Sequence, residues 1–237
     1  MRPSTSAQFG ATRWSIVTAA RGSTDDSRRR RALGELALAY WPPLYAYLRR
    51  AGHTPERAED LTQDFFARLL EKHALKSVDA DKGKFRSFLL ASLKHFLANE
   101  WDKQRSLKRG GGVHIFSLST DDAESRCALE PADPHSPEQV FNRRWALTLL
   151  QVVIARLKAE YKDKLPLFEA LQGTLMGELQ EGYAANAARL SMTEGALQVA
   201  AHRLRKRYRE LLRDEIAQTV SDPTLIDEEM RDLQASL

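Results

Sequence analysis

This sequence predicts an all-α protein built as two small helical domains joined by a flexible linker. Three observations carry that expectation. Apolar residues recur at helical spacing through nearly every long segment. Strand-like alternation is almost absent. A glycine- and acid-rich stretch without apolar periodicity separates two periodic halves. The boundaries so read are an N-terminal extension over 1–28, a first domain over 29–109, a linker over 110–135, a second domain over 136–215 and an acidic extension over 216–237.

The first helix, Arg29 to Arg50, carries Leu33, Leu36, Ala37, Tyr40, Leu44, Tyr47 and Leu48. Pro42 and Pro43 are expected to bend or interrupt it, because proline lacks a donor and crowds the preceding turn. Thr54-Pro55 then supplies an N-cap and a proline at the first helical position. Ala58, Leu61, Phe65 and Leu69 line one face of the helix that follows, to about Lys72, with Phe66 and Leu70 beside them.

A third helix spans about Phe85 to Arg105. Phe85, Phe88, Leu89, Leu93, Phe96, Leu97 and Trp101 form its apolar stripe, and Trp101 is expected in the core, with stacking on a base as its other use. Gly110-Gly-Gly112 stops this helix; without a preceding strand and a following helix it is no phosphate-binding loop. The linker holds Asp121-Asp122, Glu124, Glu130 and Asp133.

Ser136-Pro137-Glu138-Gln139 opens the second domain as a capping box. Val140, Phe141, Leu147, Leu150, Val153, Ile154 and Leu157 carry that helix to about Tyr161, and a shorter helix covers Pro166 to Gln172. Gly182 to Leu190, the turn Ser191-Met-Thr193 and the long run Glu194 to Arg213 then outline a helix-turn-helix. In that motif the first helix braces and the second enters the DNA major groove. Thr193 is the expected N-cap, and Met192 and Leu197 should fill the space between the helices. Asp222-Pro223 starts a last amphipathic helix with Leu225, Ile226, Met230, Leu233 and Leu237.

Net charge is only +4, with 36 Lys and Arg against 32 Asp and Glu, so distribution matters more than total. Eight basic residues fall between Lys82 and Arg109, and six between Arg203 and Arg213, while the linker and tail are acidic. Two basic zones around an acidic spacer suggest two nucleic-acid-contacting modules. No apolar run approaches the roughly 20 residues of a membrane span. The start of the chain lacks a signal-peptide core, so a cytoplasmic location is expected. Cys127 stands alone, and the six histidines lack metal spacing. Glu59 and Asp60 are adjacent, so they do not converge on one atom, and no serine sits in a nucleophile elbow. Neither an enzyme nor a cofactor is expected.

Three motifs resemble the extracytoplasmic-function sigma factors of bacterial RNA polymerase. They are Ala58-Glu-Asp-Leu-Thr-Gln-Asp-Phe-Phe66, Phe85-Arg-Ser-Phe88, and Ser191-Met-Thr-Glu-Gly-Ala-Leu197 continuing through Arg207. Thr12-Arg13-Trp14-Ser15 is similar to the opening of one sigma-like group within that family. The resemblance implies a cytoplasmic, non-enzymatic factor that docks on core polymerase and directs promoter recognition and melting. Its implied partners are the β′ clamp helices, the β flap, and double- and single-stranded promoter DNA, with room for control by an anti-sigma factor or a kinase.

The resemblance assigns polymerase docking to Glu59, Asp60, Gln63, Asp64 and Phe66. It assigns −10 DNA to Lys84, Arg86, Lys94, His95, Asn99 and Arg105, with a flipped-base pocket near Asp79–Lys84. It assigns −35 DNA to Gln198, Val199, His202, Arg203, Arg205 and Lys206. Val199, Ala200 and Ala201 replace a polar run there, which thins direct base readout. The acidic tail is expected to fold back on the basic helix-turn-helix or on the first domain and tune activity. The runner-up is a stand-alone helix-turn-helix regulator, which needs neither the acidic docking helix nor the melting helix.

Overall fold

A computed structural model describes residues 26–69, 83–106, 134–175, 177 and 182–237. The fold is all-α, as the sequence predicts. Among the described residues its helices are α1 (Asp26–Arg50), α2 (Pro55–Leu69), α3 (Phe85–Ser106), α4 (Pro137–Glu160), α5 (Leu165–Leu171), α6 (Tyr183–Arg189), α7 (Glu194–Ala217) and α8 (Ile226–Ala235). Short 3-10 turns precede α5, follow it, and precede α8. Among the described residues the extended pairing is one isolated bridge, Lys84 to Val220. The Thr12–Ser15 motif, residues 79–82, the Arg105 side chain, the Gly110–Gly112 run and Cys127 lie outside the described residues.

The chain forms two compact units. The first comprises Met1–Thr148 with Ala217–Leu237, the second Leu149–Ile216. The N-terminal half of α4 and the C-terminal segment are thus parts of unit 1.

In unit 1, α1 runs unbroken through Pro42 and Pro43, against the expected interruption. Packing overrides the two lost donors: Pro43, Leu44, Tyr45, Ala46, Tyr47 and Leu48 are all buried around them. Gly52, at φ +93°, closes α1. Its amide donates to Arg49 O at 3.1 Å and that of His53 to Leu48 O at 3.2 Å, the double bond of a Schellman stop. The chain re-enters helix at once, with Thr54 Oγ1 accepting from Arg57 N at 3.3 Å.

Tyr40 and Leu44 of α1, Leu61 and Phe65 of α2, Phe85, Leu89 and Leu93 of α3, and Phe141 and Trp145 of α4 make the unit 1 core. Two of its aromatic contacts are edge-on, as ring quadrupoles favour: Tyr40 on Phe85 at 5.2 Å and Phe65 on Phe96 at 5.8 Å. The capping box at α4 forms as expected. Ser136 N donates to Gln139 Oε1 at 2.8 Å, and Gln139 N to Ser136 Oγ at 3.2 Å. Leu147, expected inside, is 38% exposed.

In unit 2, the buried apolar residues are Val153 and Leu157 of α4, Phe168 and Leu171 of α5, Ala187 of α6, and Leu197, Ala201, Leu204 and Leu211 of α7. Arg156 pairs with the nearly buried Glu215 at 2.9 Å. The α6–α7 turn is tight: Ser191 adopts φ +53°, and Met192 N donates to Ala187 O at 2.9 Å. Thr193 is the N-cap, its Oγ1 accepting from Ala196 N at 3.2 Å.

Candidate functional site

Helix α2 turns Ala58, Leu61, Phe65 and Leu69 inward because they recur every three or four residues. That leaves Glu59, Asp60 and Gln63 partly exposed and Asp64 exposed, all within two turns. Gln63 Nε2 reaches Glu59 Oε1 at 3.4 Å. Partial burial, then the neighbouring Asp60 charge, pushes the Glu59 carboxyl above its ordinary value. The face is acidic and amide-bearing, with desolvation already begun. Phe66 does not belong to it. Expected at the docking face, it is 3% exposed and stacks on Trp41 at 6.0 Å, because the apolar stripe of α2 is wide enough to take it into the core.

Helix α3 presents a second surface. Lys94, His95 and Asn99 are exposed together with Ala91 and Ala98. Trp101, expected in the core, is 66% exposed and extends this surface. It lies five residues beyond Phe96, about 140° around the helix from the buried ring. Small alanines sit beside a projecting indole and three polar side chains. Lys94 Nζ is held 2.7 Å from Glu138 in the first turn of α4. That hydrogen bond pulls the Glu138 carboxyl below its ordinary value and raises the Lys94 ammonium.

Lys84 and Arg86 sit apart from that surface, at the start of α3. Arg86 Nε and Nη2 grip Glu229 of α8 at 2.7 and 3.0 Å, and Nη2 also meets Asp232 at 2.6 Å. Its Nη1 donates to Asn142 Oδ1 at 2.7 Å, and the guanidinium lies 4.7 Å over the Trp145 ring. Lys84 Nζ donates to Glu228 at 2.6 Å and Asp232 at 2.5 Å. Burial pulls the Lys84 ammonium down, but the two carboxylates outweigh it and hold its pKa above the ordinary value. Burial likewise opposes Asp232, whose carboxyl the two cations nevertheless hold low. Lys84 and Arg86, two of the cations expected on DNA, are therefore engaged by the chain's own acids.

On α7, Gln198, His202, Arg203 and Lys206 are exposed, and Val199 is 50% exposed. They share the first turns of the helix beyond the tight turn. Gln198 Nε2 donates to Glu194 at 3.3 Å. Arg205 is half-buried. Arg207 forks onto Glu160 at 2.7 and 2.8 Å, which raises its already high pKa. A groove of about 620 Å³ runs beside this face, lined by Tyr161, Leu167, Met192, Val199, Ala200 and Arg203 among others. Among the described residues no cluster of His, Cys, Asp and Glu could hold a metal ion.

Residues 36–107 match the family model of sigma-70 region 2. The match supports an RNA polymerase sigma factor of the sigma-70 family, with a role in promoter recognition. It also supports a transcription factor rather than an enzyme, with core polymerase and promoter DNA as partners. It covers α2, α3 and most of α1, and so includes both the acidic face and the Lys94–Trp101 surface. No curated protein and no solved structure matches the chain. No helix among the described residues is long and apolar enough to cross a membrane.

Sequence reasoning expected the acidic tail on the helix-turn-helix or on the first domain, and it lies on Lys84 and Arg86 of the first unit, but the partners of Arg86 were not foreseen one by one. Asn142, Glu229 and Asp232 lie 56, 143 and 146 residues away along the chain, where no local spacing rule reaches.

Proposed function

We propose that this chain is a sigma factor of the extracytoplasmic-function type, similar to the group that opens on Thr-Arg-Trp-Ser. Unit 1 docks on the β′ clamp helices through Glu59, Asp60, Gln63 and Asp64. Charge complementarity between that acidic face and a basic helical partner sets orientation and on-rate. Lys94, His95, Asn99 and Trp101 take the melted −10 strand, Lys94 along its backbone and the indole against a base. Unit 2 meets the β flap and lays the start of α7 in the −35 major groove. There Gln198 and Arg203 have the donors for adenine and guanine, each good bidentate contact being worth about 1–3 kcal/mol of discrimination. The exposed Val199 makes apolar rather than hydrogen-bonded contact. The protein works in the cytoplasm, where its polymerase is.

The observation that carries this reading is the region 2 match over 36–107, coinciding with a partly exposed acid-and-amide face on α2. A stand-alone operator-binding regulator has no use for that face. The test is co-elution of the full chain with core bacterial RNA polymerase on size exclusion. The wild type co-elutes, and Asp60→Ala/Gln63→Ala, with unchanged circular dichroism, does not. A wild type that never joins core polymerase yet binds duplex DNA alone would favour the regulator.

A further inference from the structure

The segment after α7 is built into unit 1 by three kinds of contact. Phe85 N donates to Thr219 O at 2.8 Å, and Ser221 N to Gly83 O at 3.1 Å. Thr219, Val220 and Leu233 are buried. Helix α8 then presents Glu228, Glu229 and Asp232, neighbours on one face by their spacing, to Lys84 and Arg86.

The chemistry of that meeting is that of phosphate recognition. A planar guanidinium forked on two oxygens, beside an ammonium sharing a third acceptor, is the donor set that grips a phosphodiester. Asp232 is the shared acceptor, bonded to both cations. The corner has two layers. In the inner one Glu229 is fully buried against Arg86, whose side chain is 8% exposed. In the outer one Glu228 and Asp232 remain 53% and 40% exposed over Lys84.

We propose that α8 is an internal stand-in for nucleic acid at this corner, and that single-stranded phosphates compete with Glu228 and Asp232 for Lys84. The inner Arg86–Glu229 pair keeps α8 attached while the outer layer exchanges. Binding to unit 1 is thereby weakened by the fraction of time that Lys84 is held. This rests on the reading of unit 1 as a nucleic-acid-binding unit.

Glu228→Gln/Asp232→Asn tests it in the full chain. The substitutions keep shape, leave Glu229 and the apolar anchors in place, and remove the outer charges. Fluorescence anisotropy with labelled oligo-dT is the readout, over a range of salt. The double variant binds about 3–10-fold tighter than wild type at low salt, and its log–log salt slope steepens by about 0.7 for one gained phosphate contact. Adding Lys84→Gln to the variant removes both gains. Hydrogen exchange gives a second readout: saturating oligo-dT speeds exchange across residues 226–235 of the wild type.

Equal affinity and slope for the double variant and wild type, while Trp101→Ala weakens both, overturns the competition and leaves the nucleic-acid reading of unit 1 standing. Slowed or unchanged exchange over α8 overturns it as well. If neither protein binds oligo-dT, the inference falls together with that nucleic-acid reading, while polymerase docking is decided separately by co-elution.

Discussion

Two ion pairs in unit 1 have the same length and should differ several-fold in strength. Arg86 Nε lies 2.7 Å from Glu229, and Lys94 Nζ lies 2.7 Å from Glu138. The side chains of the first pair are 8% and 0% exposed, those of the second 48% and 40%. Water screens the second, so its coupling should be about 0.2–1 kcal/mol. For the first, removing one partner strands a buried charge, which commonly costs about 3–5 kcal/mol. Two features soften that figure here. Asp232 and Asn142 still bond the guanidinium, and the Trp145 face still lies beneath it. Glu229→Gln also keeps one acceptor oxygen. A loss of about 2–3 kcal/mol for Glu229→Gln is therefore expected, with a coupling to Arg86→Met of about 2 kcal/mol. Urea unfolding followed by circular dichroism, run as two double-mutant cycles, measures both. Equal couplings, or an Arg86–Glu229 value below that of Lys94–Glu138, would refute the burial argument.

Three further outcomes are expected. Trp101→Ala changes stability by less than about 0.5 kcal/mol, since its ring is mostly in solvent, yet weakens oligo-dT binding by about 1–3 kcal/mol if the indole stacks on a base; denaturation and anisotropy on one preparation separate the two. Thr193→Ala costs about 0.5–2 kcal/mol by stripping the α7 N-cap, and shows as a lower urea midpoint for unit 2. Acid should erase the difference between wild type and Asp232→Asn. The folded pKa of Asp232 is depressed, so its stabilising contribution is full above its unfolded value of about 3.9 and is lost as pH falls through the lower folded value. Thermal melts from neutral to strongly acid pH should converge there; a constant gap would contradict the assignment.

Much of the fold was legible because its signals are local. The Ser136–Gln139 box, the Thr54 and Thr193 caps and the apolar stripe of α2 each lie within a few residues, and each forms as read. Pro42 and Pro43 do not interrupt α1, for the opposite reason. Their local penalty is real, but six consecutive buried residues from Pro43 to Leu48 hold the helix through it. Phe66 and Trp101 exchanged expected places because helical spacing gives the direction of a stripe, not its width. The Lys84–Arg86 corner was least legible. Its basic residues stood out, but their partners arrive from the far end of the chain, and charge alone cannot distinguish a cation kept for DNA from one kept for a distant glutamate.

The most direct test of the central claim is run-off transcription with bacterial core RNA polymerase on a library of promoter fragments. Start sites that require this protein, and that disappear with Asp60→Ala/Gln63→Ala, are the predicted result, and their upstream sequences would define the −10 and −35 elements. Transcription that never depends on the protein, while it binds duplex DNA without polymerase, would contradict the claim.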